Sequence, residues 1–129
     1  KKTTPVRSAA FSFQGQDGEN SVFFDDLVSL GTDTHNYLVI LDNKNRQFLT
    51  RMTFAAASDL LMNDKRFLLL RRGVIVNMAY IQSFDDRLLN LTVGSPIPIN
   101  PRNRKKLEQI WDNYLVDRMR SDILKGGMS

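Results

Sequence analysis

Apolar runs separated by polar segments occupy much of the first fifty positions, and AFSFQ (10–14) alternates apolar and polar residues, a pattern typical of short strands with one face buried. Turn residues such as GQDG (15–18) and DNKN (42–45) separate the apolar runs and favour tight hairpin connections. A further polar loop covers residues 32–35. This part of the chain therefore predicts strands at residues 10–14, 21–24, 27–31, 36–41 and 46–51.

The hydrophobic period changes after Thr53, whose hydroxyl is suited to cap a helix. The apolar residues that follow are spaced to form one helical face, and they are Phe54, Ala57, Leu60 and Leu61. Beyond this short predicted helix, AYIQSF (79–84) and LLNLTV (88–93) flank the turn residues Asp85 and Asp86. These two runs predict a second clear hairpin.

The last segment has the strongest helical pattern. Asn100 is a good N-cap, and Pro101 suits the first helical position because the N–H that it lacks would have no partner there. These signals predict a helix over about residues 101–124 that ends before Gly126, with an apolar stripe of Leu107, Ile110, Trp111, Tyr114, Leu115 and Met119. The stripe is typical of packing against a core, and part of it could instead form a dimer surface.

Length and composition indicate a folded protein built as one domain. The chain has 129 residues, of which 42% are hydrophobic and 25% charged, and these are ordinary globular values. We expect an N-terminal arm or linker over residues 1–9, a domain over 10–124 and a tail over 125–129. Since the chain begins with Lys1 rather than Met, we expect it to be part of a longer protein.

Several classes of function are excluded by what the chain lacks. It has no Cys, which excludes disulfides, thiolate catalysis and thiolate zinc sites, and which is compatible with a reducing cytoplasm. No apolar run approaches the roughly 18 residues of a membrane span, and no signal-peptide pattern opens the chain. The sole histidine, His35, has only loop neighbours in sequence, so we predict no enzymatic activity, no cofactor and no metal site.

The net charge of +4 becomes informative because the cations cluster. Residues 65–72 and 102–106 each contain four Lys or Arg and no acid. Arg71 and Arg72 interrupt two apolar runs, so we predict an exposed tip there, with Gly73 permitting the bend. Two guanidiniums on a loop suit phosphates or guanine edges, whereas the alternative is surface salt bridges to residues such as Asp85 or Asp86.

Arg102 and Arg104 would lie in the first turn of the last helix, where the helix dipole disfavours cations by roughly 0.3–1 kcal/mol each. Such a local conflict is typical of a phosphate site, since backbone donors, dipole and side chains are all positive there. The alternative is that Arg and Lys are simply good helix formers on a solvated face.

Four segments carry the motifs of a known family in the right order. FLLLRRGVIVNMAYIQSF (67–84) resembles F-x-R-V-H-R-S-Y-I-V-N-L-x-x-I, and PINPRNRKKLEQI (98–110) resembles P-V-S-R-R-Y-x-K-K-L. LVSLGTDTHNYLVIL (27–41) and RMTFAAASDLL (51–61) fit an earlier Asn-Tyr pattern and an R-G-T-L helix start. Over about residues 20–115 the chain is thus similar to LytTR domains.

The resemblance implies a mainly β, elongated antiparallel β-sheet fold with one short internal helix and a C-terminal helix. It also implies a cytoplasmic DNA-binding output domain of bacterial response regulators in two-component systems, usually fused behind a phosphorylatable receiver domain that is absent from this chain. LytTR domains lay loops into the grooves of double-stranded DNA. With so small a footprint, we expect a dimer on repeated half-sites.

The resemblance also assigns candidate DNA contacts residue by residue. His35 and Asn36 match the first contact loop, Arg72 matches the Arg of H-R-S, and Arg102 matches the contact Arg after the final strand. The further candidates, in part phosphate contacts, are Arg71, Arg104, Lys105 and Lys106. Asn77 matches the I-V-N asparagine, which we interpret as structural. The chain departs from the motifs at four positions, namely Arg71 for His, Gly73 for Ser, Val74 for Tyr and Pro101 for Arg.

An alternative from a different class is a protein-interaction or sensory domain that keeps a LytTR-like fold without binding DNA. Single-stranded nucleic acid has less support, because no aromatic residue lies among the clustered cations. Salt dependence of DNA binding separates these hypotheses.

Overall fold

The computed structural model describes residues 9–126, with side chains up to residue 123, so the predicted N-terminal arm and C-terminal tail fall almost entirely outside the described residues. The chain divides into two compact units after Asn77. The strands among the described residues are β1 (Ala10–Gly15), β2 (Gly18–Phe23), β3 (Leu27–Thr32), β4 (Leu38–Asp42), β5 (Gln47–Thr50), β6 (Phe67–Arg71), β7 (Val74–Asn77), β8 (Ile81–Phe84), β9 (Leu88–Leu91) and β10 (Ile97–Pro98). The helices are α1 (Phe54–Leu61) and α2 (Arg104–Gly126).

The first unit contains the β1–β2 hairpin, helix α1 and a five-stranded antiparallel sheet with the order β5-β4-β3-β7-β6. Along each strand, every second side chain points to the inner face of the sheet. The core of this unit consists of Phe11, Phe13, Val22, Phe24, Leu27, Leu30, Leu38, Ile40, Ala57, Leu61, Phe67 and Ile75. Strand β3 pairs with both β4 and β7, so the loops at its ends lie beside those of two neighbouring strands.

Asn77 is a polar residue at the end of β7 that is fully buried. Its amide Nδ2 donates to the carbonyl oxygens of Phe24 (3.0 Å) and Leu27 (2.8 Å). A buried amide that finds acceptors avoids the cost of an unsatisfied polar group. The side chain thus fastens β7 to the turn between β2 and β3, which agrees with the structural role expected of it.

The interrupted apolar stretch folds as two strands joined by a two-residue turn. Leu68 and Leu70 of β6 and Ile75 of β7 are buried, whereas Arg71 and Arg72 are exposed. Gly73 has φ +84°, a backbone conformation that side-chain-bearing residues rarely adopt. The exposed tip predicted from the sequence is therefore present, with the glycine at the bend.

Helix α1 begins as the sequence predicts, because the Thr53 hydroxyl accepts a hydrogen bond from the backbone N–H of Ala56 at 3.1 Å. Ala57 and Leu61 are fully buried. Leu60, predicted to lie on the same apolar face, is instead 53% exposed. The prediction that Leu60 belongs to the buried face of α1 is therefore wrong, and that face is narrower than the spacing of apolar residues suggested.

The second unit consists of a three-stranded sheet, with the order β10-β9-β8, and helix α2. Leu107 of α2 is buried, and Trp111 packs its ring 5.7 Å from that of Phe84. The rest of the predicted stripe is more open, since Leu115 is 36% and Met119 61% exposed.

These residues are exposed because helix α2 is much longer than the strands of the sheet in its unit. A helix of 23 residues extends for about 35 Å, while strands of at most four residues provide roughly 14 Å of sheet. Only the first turns of α2 can therefore pack within this unit. The helix also runs through Gly126 rather than ending before it.

The fold class expected from the sequence is confirmed, since antiparallel sheets predominate and one short internal helix and a C-terminal helix accompany them. Within residues 9–126, no helix has both the length and the apolar character needed to cross a bilayer.

Candidate nucleic-acid interface

The β3–β4 loop, which carries His35 and Asn36, is held by the carboxylate of Asp33. Its Oδ1 accepts hydrogen bonds from the backbone N–H of His35 (2.8 Å) and of Tyr37 (2.9 Å). The Asp33 N–H donates to the Tyr37 carbonyl at 2.9 Å and closes the loop. Asn36 has φ +66°, which Asn tolerates better than other side chains. The loop is thus a defined turn that presents exposed His35 and Asn36 side chains.

The same turn recurs at the opposite end of β4, in residues 42–46. There Asp42 Oδ1 accepts from the N–H of Lys44 (3.0 Å) and of Arg46 (2.8 Å), and Asn45 has φ +64°. Both segments read D-x-x-N-x, so one local pattern specifies both hairpins. Asp33 and Asp42 are organising residues that the sequence analysis did not single out, although this repeated spacing would have indicated them.

The β6–β7 tip lies beside the β3–β4 loop. The backbone N–H of Thr32, at the end of β3, donates to the Gly73 carbonyl at 3.0 Å, and Gly31 pairs with Val74 in the sheet. Neighbouring strands are about 4.8 Å apart, so the two loops lie side by side. The structure therefore brings together His35, Asn36, Arg71 and Arg72 at one end of the sheet.

Arg71 and Arg72 are available for a ligand within their own unit. Both are exposed, and neither guanidinium forms an ion pair with any carboxylate among residues 9–77. The two acids considered as alternative partners have partners in the second unit. Asp86 lies 3.5 Å from Arg104 Nε, and Asp85 accepts a hydrogen bond from Asn90 at 3.0 Å.

Arg66 belongs to the same basic segment of the sequence as Arg71 and Arg72, but unlike them it is paired with carboxylates among residues 9–77. Its guanidinium binds Asp25 (2.6 Å) and Asp64 (2.9 Å) and lies over the ring of Phe24. Partial burial lowers the pKa of Arg66, but the hydrogen bonds to the two carboxylates outweigh it and raise the pKa above its ordinary value. Arg66 is a structural cation whose charge is already compensated.

Arg51 is a further cation at this end of the sheet that is not among the candidate residues predicted from the sequence. Leu38 pairs with Thr50 across β4 and β5, which puts Arg51 beside Tyr37. The Arg51 guanidinium lies 5.0 Å from the centre of the Tyr37 ring, a cation–π arrangement. The register of the 42–46 turn would have indicated this pairing.

The second basic group lies in the second unit, where the chain enters α2. The Asn100 side chain accepts a hydrogen bond from the N–H of Arg102 at 3.0 Å, and residues Pro101–Asn103 form a 3₁₀ turn before the helix. Asn100 is thus the predicted cap, although the α-helix itself starts three residues later than predicted. Arg102, Lys105 and Lys106 are exposed.

Arg104 differs from its neighbours because it is half-buried and lies between two acids. Its Nη1 donates to Glu108 at 2.5 Å, and its Nε lies 3.5 Å from Asp86. These two carboxylates compensate its charge and link α2 to the β8–β9 turn. Arg102, Lys105 and Lys106 are the cations of this group without such an arrangement among the described residues.

The chemistry of both groups suits an anionic partner. Guanidinium, ammonium and amide groups can bind phosphates and base edges. Residues 9–126 contain no cluster of three or more His, Asp or Glu side chains that could hold a metal ion.

Comparison with known proteins agrees with this chemistry. The sequence model of the LytTr DNA-binding domain matches residues 20–112. A solved structure, the LytTr DNA-binding domain of a protein described as a methyl-accepting/DNA response regulator from Bacillus cereus, superposes with a TM-score of 0.63 at 15% identity. The match covers 80% of this chain and 96% of that one. No curated protein matches the chain.

Proposed function

The chain belongs to the LytTR DNA-binding domain family, and on that premise we propose that residues 10–124 bind double-stranded DNA in a sequence-specific manner. The proposed setting is the cytoplasm of a bacterium, where the domain serves as the output of a two-component response regulator under the control of a receiver domain. The proposed complex is a dimer on repeated half-sites, because one domain of this size offers few base contacts.

One observation supports this proposal most directly. The Thr32–Gly73 hydrogen bond holds the His35–Asn36 loop against the Arg71–Arg72 tip, and these arginines have no carboxylate partner among residues 9–77. Two rigid turns that carry amide and guanidinium groups, spaced to enter one groove, are what direct base readout requires.

Each residue of the first group has a distinct proposed role. Asn36 can bind the N6 and N7 edge of adenine, and Arg72 can bind the O6 and N7 edge of guanine, each contact being worth roughly 1–3 kcal/mol of discrimination. Arg71 and His35 flank them and contact the adjacent backbone or base edges. Asp33 and Gly73 act through the turns that they hold.

In the second group, Arg102 is the proposed base contact, while Lys105 and Lys106 bind phosphates. Arg104 contributes less to affinity than the other three, because Asp86 and Glu108 already compensate its charge. Phosphate contacts supply affinity that falls with salt, because binding releases condensed counterions.

The test begins with selection of bound oligonucleotides from a random pool, which tests binding and defines the preferred site. Fluorescence anisotropy on that site then compares Arg102→Ala with Arg120→Ala, which removes an exposed arginine of the same unit far along α2 from the basic group. We expect Arg102→Ala to weaken binding by roughly 1–3 kcal/mol and to relax one base position, with little change for Arg120→Ala.

Equal losses for Arg102→Ala on all DNA sequences would reduce that residue to a phosphate contact. Failure to enrich any sequence, together with weak and salt-insensitive binding, would favour the alternative of a protein-interaction or sensory domain.

A further inference from the structure

A groove in the first unit lies next to the β3–β4 loop, between the turn of the β1–β2 hairpin and strand β5. Its volume is about 480 Å³, within the range of roughly 300–1,000 Å³ that is typical of small-molecule sites. The side chains that line it are Gln14, Gln16, Tyr37, Leu49, Arg51 and Met52. Most of this lining is apolar, and the two glutamines add hydrogen-bonding groups at the hairpin turn.

Among the described residues that line the groove, Arg51 is the only cation. It is exposed, lies over Tyr37, and forms no ion pair with a carboxylate among residues 9–77. By contrast, Arg46 also lies over an aromatic ring, that of Phe48, but binds Asp42 at 2.8 Å. The groove therefore combines an apolar wall with one planar cation whose charge no carboxylate of residues 9–77 compensates.

The backbone that carries Arg51 is well supported. Thr50 is buried, and its hydroxyl accepts a hydrogen bond from the Met52 N–H at 3.3 Å. The guanidinium lies over the ring of Tyr37, whose backbone is bonded to Asp33. Because this backbone and the Tyr37 turn are already positioned, less conformational freedom is lost when a ligand binds.

We propose that this groove binds a small organic carboxylate with a flat or branched apolar body. The carboxylate accepts hydrogen bonds from Arg51 in the bidentate geometry that a guanidinium offers, and the apolar body covers Leu49 and Met52. Such a ligand matches both the apolar lining and the Arg51 guanidinium, whereas a neutral apolar molecule would leave the guanidinium without an anionic partner.

A second consequence rests on the proposed DNA-binding function. Arg51 lies at the same end of the sheet as Asn36 and Arg72, so a bound carboxylate removes one positive charge from the side that faces DNA. We infer that Arg51 contacts a DNA phosphate, and that the ligand, by occupying Arg51, weakens DNA binding and lowers the salt slope of the affinity by about one unit, the effect of one phosphate contact.

The first experiment tests the groove without DNA. 2-Naphthoate and its neutral counterpart 2-naphthalenemethanol are titrated into the whole chain at pH 7.5, followed by ¹H–¹⁵N and methyl NMR. We expect saturable shifts at Gln16, Tyr37 and Met52, and an affinity for the acid about three- to tenfold higher than for the alcohol. Arg51→Gln should remove this preference, and Arg46→Gln, a ring-stacked arginine outside the groove, should keep it.

Three results would overturn the assignment: no saturable shift, shifts confined to other parts of the chain, or equal binding of acid and alcohol. The spectra of both variants also report whether they remain folded, so a loss of binding through unfolding is recognised directly.

The second experiment measures DNA affinity by anisotropy, with and without saturating 2-naphthoate. If naphthoate binds the groove and the DNA affinity stays the same, the regulatory consequence is wrong while the groove remains a site. If naphthoate fails to bind and the selected DNA site still does, the groove proposal is wrong and the DNA-binding proposal stands. The two proposals can therefore fail separately.

Discussion

Replacing Asn36 by Gly separates the two tasks that this residue has in the structure. Its backbone, at φ +66°, completes the β3–β4 turn, and its side-chain amide is the proposed reader of adenine. Glycine keeps the turn, because it adopts positive φ without steric cost, and it removes only the amide. Alanine at the same position would change both and could not separate them.

Asn45 provides a closely matched control. It has φ +64° in the same D-x-x-N-x turn at the opposite end of β4, so Asn45→Gly makes the same chemical change in the same local geometry. The stability change should be similar for both variants. Glycine relieves some left-handed strain and adds roughly 0.4–1 kcal/mol of unfolded-state entropy, so the net change should be within about 1 kcal/mol.

DNA binding should distinguish the two variants. Loss of one bidentate amide–adenine contact costs roughly 1–3 kcal/mol, or about 5- to 150-fold in affinity for the selected site. Asn36→Gly should show that loss and should weaken only slightly on unrelated DNA, while Asn45→Gly should bind like the unmodified chain. Fluorescence anisotropy measures affinity, and urea denaturation measures the free energy of unfolding.

Two outcomes would contradict the reasoning. If both variants lose affinity equally, the effect comes from the turns rather than from a base contact. If Asn36→Gly binds the selected site normally, the β3–β4 loop does not read bases through this residue.

The two remaining predictions concern charge and burial. Arg72→Gln should lower DNA affinity and reduce the salt slope by about one unit if this arginine also neutralises a phosphate, or relax one base position at an unchanged slope if it contacts only guanine. Arg66→Gln, in contrast, should lower stability by about 1 kcal/mol and leave the slope unchanged, because Asp25 and Asp64 already compensate Arg66. Asn77→Ala should cost about 1–3 kcal/mol in urea denaturation, since it takes this donor from the buried Leu27 carbonyl and leaves the Phe24 carbonyl with the Leu27 N–H alone; a cost below about 1 kcal/mol would mean that water or a shifted side chain replaces the amide.

Much of the local structure was predictable because the signals are short-range. The alternation of buried and exposed residues in β1, the Thr53 and Asn100 caps, and the glycine at the β6–β7 bend each depend on a few consecutive residues. The exposure of Arg71 and Arg72 followed from the cost of burying unpaired cations.

The tertiary structure decided which of the cations form salt bridges with a carboxylate. Arg66 and Arg71 belong to the same basic segment, yet Arg66 binds two carboxylates and Arg71 binds none in the described part of its unit. Arg104 meets Asp86 only because the β8–β9 turn lies against the start of α2. Composition and spacing in the sequence do not distinguish paired from unpaired cations, because a salt bridge depends on which carboxylate the fold brings near.

The sequence alone thus determined the strands, turns, caps and exposed basic segments, and its motifs identified the family. Only the tertiary structure decided that the His35–Asn36 loop and the Arg71–Arg72 tip share one end of a sheet, that Arg51 joins them, and that most of α2 stays exposed. The physical reason is distance along the chain. Hydrophobic period and turn chemistry act over a few residues, whereas strand order and register join residues forty apart, as in the bond from Thr32 to Gly73.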